Sequence, residues 1–400
     1  MTQILTLAFL EQCLQKQFSD ASIRVNSVEP YLLDTSNSIL SVLTATGSAK
    51  EVGHFGLTVN WLQKEENHTT RMVAKVKPHG DAIARMTLGI AQASDPAVGA
   101  AYEPVYRETG FYYCHEKELW HYNRQELSFR EALPKIFGTY MNHETQDYLI
   151  LMEDLKGAHL LNKVNKRDQW GSSEIEAVLA VLARFHAIHY ENTSVLPDFF
   201  HADQPGKKQA GKTQLLWKDL LRNHSDKLPE LYTFGRQSIL EQIIVNQPVL
   251  WNELEKQPRT LIHYDCNPRN ICFRLQENKL QPVLYDWELS TIHVPVYDVV
   301  EFLSFVMDVS DHGLRNRYLK IYREAFNAYS SVSIDSPALE WQYQLAACHY
   351  AYDRLALYTM AHLVNPYPFL PAVLESHFSY LEQVGPEILQ RLGVEGIAAN

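Results

Sequence analysis

Residues 261–274 read LIHYDCNPRNICFR, and residues 283–290 read VLYDWELS. The first stretch sets His263, Asp265 and Asn270 at fixed offsets, and the second carries Asp286 at the end of an apolar run. A His, an Asp and an Asn so spaced arise by chance in about a few per cent of chains this long, so the second Asp is needed to give the pattern weight. Phosphoryl transfer requires a carboxylate beside the acceptor hydroxyl and oxygen ligands that hold magnesium against nucleotide phosphates. A loop carrying Asp and Asn, with another Asp delivered by an adjacent hairpin, supplies all three.

Working outward, residues 38–46 (SILSVLTAT), 55–62 (FGLTVNWL) and 71–77 (RMVAKVK) are rich in Val, Ile, Leu and Thr. With Gly47, Gly53 and the polar residues 63–70 between them, they predict an antiparallel sheet. Residues 81–93 predict a helix, and residues 94–110, with their Gly and Pro, an irregular connection. A charged helix is expected around 116–126, a strand over 147–152 and a strand pair at 271–275 and 282–285. Over 172–190 (SSEIEAVLAVLARFHAIHY) the apolar residues recur every three or four positions, with Ser172 or Ser173 as the cap.

The loop and its second Asp resemble the catalytic core shared by protein kinases and the aminoglycoside phosphotransferase, choline kinase and ecdysteroid-kinase-like families. The likeness is closer to the small-molecule branch, whose loop reads H-x-D, four residues and Asn. Its second metal site reads Asp, an aromatic residue and Glu or Gln, as in Asp286-Trp287-Glu288. The resemblance implies an α+β fold of two lobes, a small β-rich N-lobe over residues 1–153 and a larger, mostly helical C-lobe over 154–400. Residues 78–115 would be an atypical insertion serving as a lid or partner surface.

The same resemblance implies roles. Asp265 becomes the catalytic base or the carboxylate that orients the acceptor, Asn270 and Asp286 magnesium ligands, and His263 a residue that shapes the loop. Tyr264 stands where the family often has Gly. Lys75 becomes the ATP-anchoring lysine, although Lys77 shares its strand face, and Glu118 its partner, with Tyr122 completing the pattern. Met152 and Glu153 become the hinge whose backbone meets adenine. Asp298 is expected to support the loop, and His186 and His189 to be structural, since no third ligand completes a metal set. Arg269 is open between an approach to phosphate or acceptor and a plain loop cation. The phosphate cover is degenerate: Gly47, Gly53 and Gly56 form neither G-x-G-x-x-G nor a P-loop, leaving Ser48 and the backbone near Gly53 as candidates. The implied cofactors are ATP and magnesium, and the implied acceptor is a small molecule.

Composition narrows the remaining choices. The 400 residues are 46% hydrophobic, enough for a sizeable core. A net charge of -11 argues against nucleic acid as a partner, and fits a cationic or polar acceptor as well as plain solubility. Five scattered cysteines without C-x-x-C spacing point to a reducing compartment. The opening MTQILTLAFLEQCLQKQF reads as an amphipathic helix rather than a signal peptide, and no run is long enough to span a membrane, so a cytoplasmic location is expected. No D-F-G and A-P-E pair marks a protein kinase. A pseudokinase scaffold or a magnesium-dependent nucleotide-binding module are the non-catalytic alternatives, the former disfavoured because the Lys, Glu, Asp, Asn and Asp are all present. Helically spaced aromatics such as Trp341, Tyr343, Tyr350, Tyr352 and Tyr358 read as core or as a pocket lining.

Overall fold

The computed structural model describes residues 4–33, 52–124, 127–276 and 279–394. Helix α1 (Leu7–Phe18) begins at Thr6, whose hydroxyl accepts from the Phe9 amide, and buries Leu10, Cys13 and Leu14 on one face. This is the amphipathic helix its spacing predicts.

A five-stranded sheet follows. It comprises β1 (Arg24–Tyr31), β2 (Gly53–Gln63), β3 (Glu66–Lys77), β4 (Ile136–Asn142) and β5 (Asp147–Glu153), ordered β1-β2-β3-β5-β4 with every pairing antiparallel. The expected strand over 38–46 lies outside the described residues, as do Gly47 and Ser48. Residues 66–70 are strand rather than connection, because Lys64 and Glu65 both take positive φ (47° and 71°) and close a two-residue hairpin between Gln63 and Glu66. Edge strands β1 and β4 were not anticipated.

Alternation along β3 sorts its side chains. Met72, Ala74 and Val76 enter a core beneath the sheet together with α1, whereas Val73, Lys75 and Lys77 face the other way. Strand β5 does the same: Leu149 and Leu151 enter the small core, and Tyr148, Ile150 and Met152 enter the large one.

Residues 80–108 are helical where an irregular connection was expected beyond residue 93. Helix α2 (Gly80–Ser94) is followed by α3 (Pro96–Tyr102) and a 3-10 turn (Glu103–Glu108). Asp95 caps α3 by accepting from the Ala97 amide at 2.8 Å, and Pro96 occupies the first turn, where its missing N–H costs nothing. Ile83, Val98, Tyr102 and Val105 share the large core with the C-terminal helices. Gly80 is required at the start of α2, because a Cβ there would meet the Tyr112 carbonyl oxygen. Helix α4 (Cys114–Asn123) then packs against β4 and β5.

The C-terminal part is mostly helical: α5 (Ser172–Ile188), α6 (Lys207–Lys227), α7 (Phe234–Val245), α8 (Gln247–Leu254), α9 (Val296–Val306), α10 (His312–Tyr329), α11 (Ser336–Tyr352), α12 (Arg354–Val364) and α13 (Leu370–Arg391). The N-cap of α5 is Gly171, and neither Ser172 nor Ser173 caps it. Two small antiparallel ladders interrupt the helices. Strand β6 (Thr260–Ile262) pairs β9 (Thr291–His293), and β7 (Ile271–Gln276) pairs β8 (Lys279–Leu284). The result is the expected α+β arrangement of an antiparallel sheet before a larger helical part. All five cysteines are buried free thiols. No described helix is long and apolar enough to cross a membrane.

Candidate active site

The two ladders fix the site. Residues 263–270 leave β6 and enter β7, and residues 285–290 leave β8 and enter β9, so both connections emerge at one end. The Tyr285 amide donates to the Asn270 carbonyl at 3.0 Å, which sets Asn270 beside Asp286 across the hairpin mouth. Trp287 is buried among His121, Phe129, Phe185 and His263 and anchors the segment that carries Asp286 and Glu288.

Helix α9 grips the loop from below. Asp298 accepts from the His263 amide at 2.7 Å, the Tyr264 amide at 2.8 Å and His186 Nε2 at 3.0 Å. One turn on, Glu301 accepts from the Cys266 amide at 3.0 Å. His263 sends Nε2 to the Tyr285 carbonyl, 3.0 Å away, and so ties the two connections together. His186 also meets the Tyr322 hydroxyl at 2.8 Å, which commits both ring nitrogens. Tyr264 takes φ 64°, the left-handed region that suits glycine; its ring is buried and its hydroxyl donates to Asp353. The departure from the family's Gly is thus held by the side chain itself.

Asp265 is almost surrounded. Asn270 Nδ2 donates to its Oδ2 at 2.7 Å. Its Oδ1 accepts from Arg354 at 3.2 Å, Asn267 at 3.2 Å and Arg269 at 3.4 Å, and from the Tyr358 hydroxyl. Burial opposes ionisation, but the guanidiniums of Arg269 and Arg354 with the Tyr358 hydroxyl outweigh it and hold the carboxyl below its ordinary value. Arg269 is therefore a partly buried partner of Asp265, stacked over Tyr358, rather than a free loop cation. Arg354, Tyr358 and Glu301 were not assigned from sequence. Of the aromatic set only Tyr358 reaches this loop's carboxylate; Trp341, Tyr343, Tyr350 and Tyr352 are core.

On the opposite side Lys75 Nζ lies 2.8 Å from Glu118 Oε1 and 2.5 Å from Asp286 Oδ1. Lys77 joins the same group, pairing with Glu118 and lying 2.6 Å from Glu288. The site thus holds two buried ammonium groups against three carboxylates, of which Asp286, with its side chain 33% exposed, is the one that reaches open space. Burial works against charge on Lys75, yet Asp286 and Glu118 raise its pKa well above the usual value; Lys75 and Lys77 in turn overcome burial and depress that of Asp286. Burial and the neighbouring Asp286 raise that of Glu288. Asp286 has φ 65° and its amide donates to the Tyr122 hydroxyl at 3.2 Å, so Glu118 and Tyr122, one turn apart on α4, both face this group.

Met152 and Glu153 end β5, opposite Val73 and Met72 of β3. The Glu153 amide donates to the Lys135 carbonyl at 2.9 Å, and its carboxylate pairs with Arg274 of β7, so the strand end is tied to the second ladder. Gly53 and Gly56 lie within β2, opposite Val76 and Val73.

Carboxylate oxygens of Glu118, Asp286 and Glu288 lie within 4.8 Å of one another, but Lys75 and Lys77 pair with them, so of the three the partly exposed Asp286 is the one placed to take a divalent cation as well.

A model of the phosphotransferase enzyme family, APH, matches residues 116–333, more than half of the chain. Among solved structures the chain is similar to choline kinase from Cryptosporidium parvum Iowa II, at 12% identity over 93% of this chain and 91% of that one, TM-score 0.46. It is also similar to an ethanolamine kinase of Plasmodium vivax, at 10% identity over 91% and 82%, TM-score 0.40. A third is a microcompartment-associated aminopropanol kinase, at 12% identity over 92% and 94%, TM-score 0.42. No curated protein matches the chain. The matched span contains Glu118, Asp265, Asn270 and Asp286, and by that match the chain belongs to the APH phosphotransferase family.

Proposed function

We propose that this protein transfers the γ-phosphoryl group of ATP to a hydroxyl of a small-molecule acceptor. The observation that carries the reading is the meeting of Lys75, Glu118 and Asp286 beside a loop in which Asn270 fixes Asp265. Lys75 would bind the nucleotide phosphates, with Glu118 holding the ammonium in place, and the end of β5 at Met152 and Glu153 would meet adenine. Asn270 and Asp286 would hold magnesium, which when bound offsets phosphate charge. Asp265 would orient the acceptor hydroxyl and take its proton as the new oxygen–phosphorus bond forms and the bond to ADP breaks. Positioning and charge neutralisation supply most of the rate, since proton removal by a general base is worth about 100- to 10,000-fold.

In this reading residues 1–153 form the nucleotide lobe and 154–400 the acceptor lobe, with the inserted residues 78–115 packed on the latter. The net charge of -11 fits a cationic or polar acceptor as well as plain solubility, and the acceptor's own charge stays an outcome of the experiment. The test is incubation with labelled ATP, magnesium and a metabolite extract, followed by identification of the labelled product. A labelled compound made by the wild type and missing with Asp286→Ala is the expected result. Equal labelling by both would remove the assignment of Asp286, and no labelled product from any extract would favour nucleotide binding without transfer.

A further inference from the structure

The Tyr358 hydroxyl lies 2.9 Å from Glu301 Oε1 and also within hydrogen-bond distance of Asp265 Oδ1. A phenol has one proton, and an ionised carboxylate only accepts. Both contacts can be hydrogen bonds only if one carboxyl carries a proton of its own. Asp265 has Arg354 and Arg269 on its Oδ1, so its charge is compensated. Glu301 bonds the Cys266 amide, Asn267 Nδ2 and Tyr358, and among the described residues no cation lies at ion-pair distance from it. The extra proton therefore belongs on Glu301.

We propose that Glu301 is a positioning residue for Asp265: its carboxyl O–H donates to the Tyr358 oxygen, which turns the phenol proton onto Asp265 Oδ1 and reserves Oδ2 for the acceptor hydroxyl. This rests on the assignment of Asp265 as the residue that orients the acceptor. Burial and the charge of Asp265 push Glu301 up to about 8, so it keeps its proton at neutral pH. The groups around it act in both directions. From the loop Asp265 raises its proton affinity, and Cys266 stays a neutral thiol because burial raises its pKa. From α12 the Arg354 guanidinium lowers it, and Tyr358 does so when its hydroxyl is turned to donate to the ionised carboxylate. On α9 Asp298 raises it and the phenol Tyr297 is kept neutral by burial, as is Tyr350 on α11. Once Glu301 ionises, the single phenol proton is divided between two anions and Asp265 loses its fixed orientation.

Two measurements test this. Infrared difference spectra of wild type against Glu301→Gln should show the carbonyl band of one protonated carboxylic acid at neutral pH, lost in the variant and titrating away in the wild type at alkaline pH. Absence of that band overturns the proposal, whatever the protein's activity. ATP hydrolysis with water as acceptor, compared between about pH 7 and about pH 9.5, should fall roughly tenfold in the wild type and stay within about twofold in Glu301→Gln, whose amide donates at all pH values. An alkaline fall of the same size in the variant overturns the positioning role. Tyr358→Phe, which keeps both carboxyls and removes the link, should also flatten the fall; an unchanged fall again counts against the proposal. No hydrolysis by wild type with the band present refutes the kinase reading and the positioning role, while leaving the proton on Glu301.

Discussion

Lys75 Nζ lies 2.5 Å from Asp286 Oδ1, although 211 residues separate the two in the chain. The contact joins the third strand of the sheet to the mouth of the β7–β8 hairpin, with Glu118 of α4 as the third member. Lys75→Met would leave Glu118 buried with Lys77 as its remaining cation and Asp286 without its closest one. Breaking a buried pair from one side costs about 3–5 kcal/mol, so a marked loss of denaturant stability is expected along with loss of nucleotide turnover. Wild-type stability in this variant would show that Lys77 suffices to hold the group together.

Asp265→Asn preserves shape and removes the proton acceptor. Turnover should fall by about 100- to 10,000-fold, while ATP with magnesium still raises the melting temperature, by an amount that follows about 2.7 kcal/mol of stabilisation at 100 times the dissociation constant. Normal turnover would remove the assigned role, and loss of the thermal shift would mean that the carboxylate serves binding.

Tyr264→Gly sets two effects against each other. Glycine relieves the left-handed backbone, worth about 1–2 kcal/mol. It also deletes a buried aromatic side chain, which costs about 3–5 kcal/mol, and takes the hydroxyl away from Asp353. The second effect is larger, so the variant should be less stable than wild type by about 1–4 kcal/mol in chemical denaturation. A more stable variant would mean that backbone strain dominates at this position.

The share of stability that Asp353 and Glu301 contribute should decline as pH rises from about 4 towards 8, against the rise contributed up to about pH 6.5 by buried histidines held neutral, among them His115, His224, His349 and His377. Burial pushes Asp353 up to about 6 and Glu301 up to about 8, above the ordinary carboxylate value, so the folded state holds protons that the unfolded chain has released. Their stabilising share is complete below about pH 4 and is lost as pH rises through each folded value. The melting-temperature difference between wild type and Asp353→Asn should shift in the variant's favour as pH rises from about 4 to 6, and that between wild type and Glu301→Gln as pH rises from about 4 to 8. A profile that both variants leave unaltered would place these acids among the ionised groups.

The loop was legible because its chemistry demands a fixed spacing within one connection: five residues on, Asn270 Nδ2 donates to both the carbonyl oxygen and Oδ2 of Asp265. Lys75 and Glu118 were expected from the family resemblance, and the two side chains do meet. Arg354 and Tyr358 were not legible, because they come from a helix about 90 residues downstream and nothing local links them to the loop. Lys77 was seen to share a face with Lys75, but its partner Glu288 could be named only once the hairpin placed it. The helix over 96–102 was hidden by reading Pro96 and Gly99 as breakers. Pro96 instead starts the helix, and Gly99 lets it pack on Gln92. Edge strands β1 and β4 carry polar residues, Pro30 and Gly138, and their existence depends on neighbours that the sequence does not show.

Strand β5 gives alternate side chains to two different cores. A fragment that stops after residue 153 would expose Tyr148, Ile150 and Met152, and one that begins after it would lack the wall those residues provide. The sheet and the helical part should accordingly resist separation into independently expressed pieces, and heat should melt them in one transition.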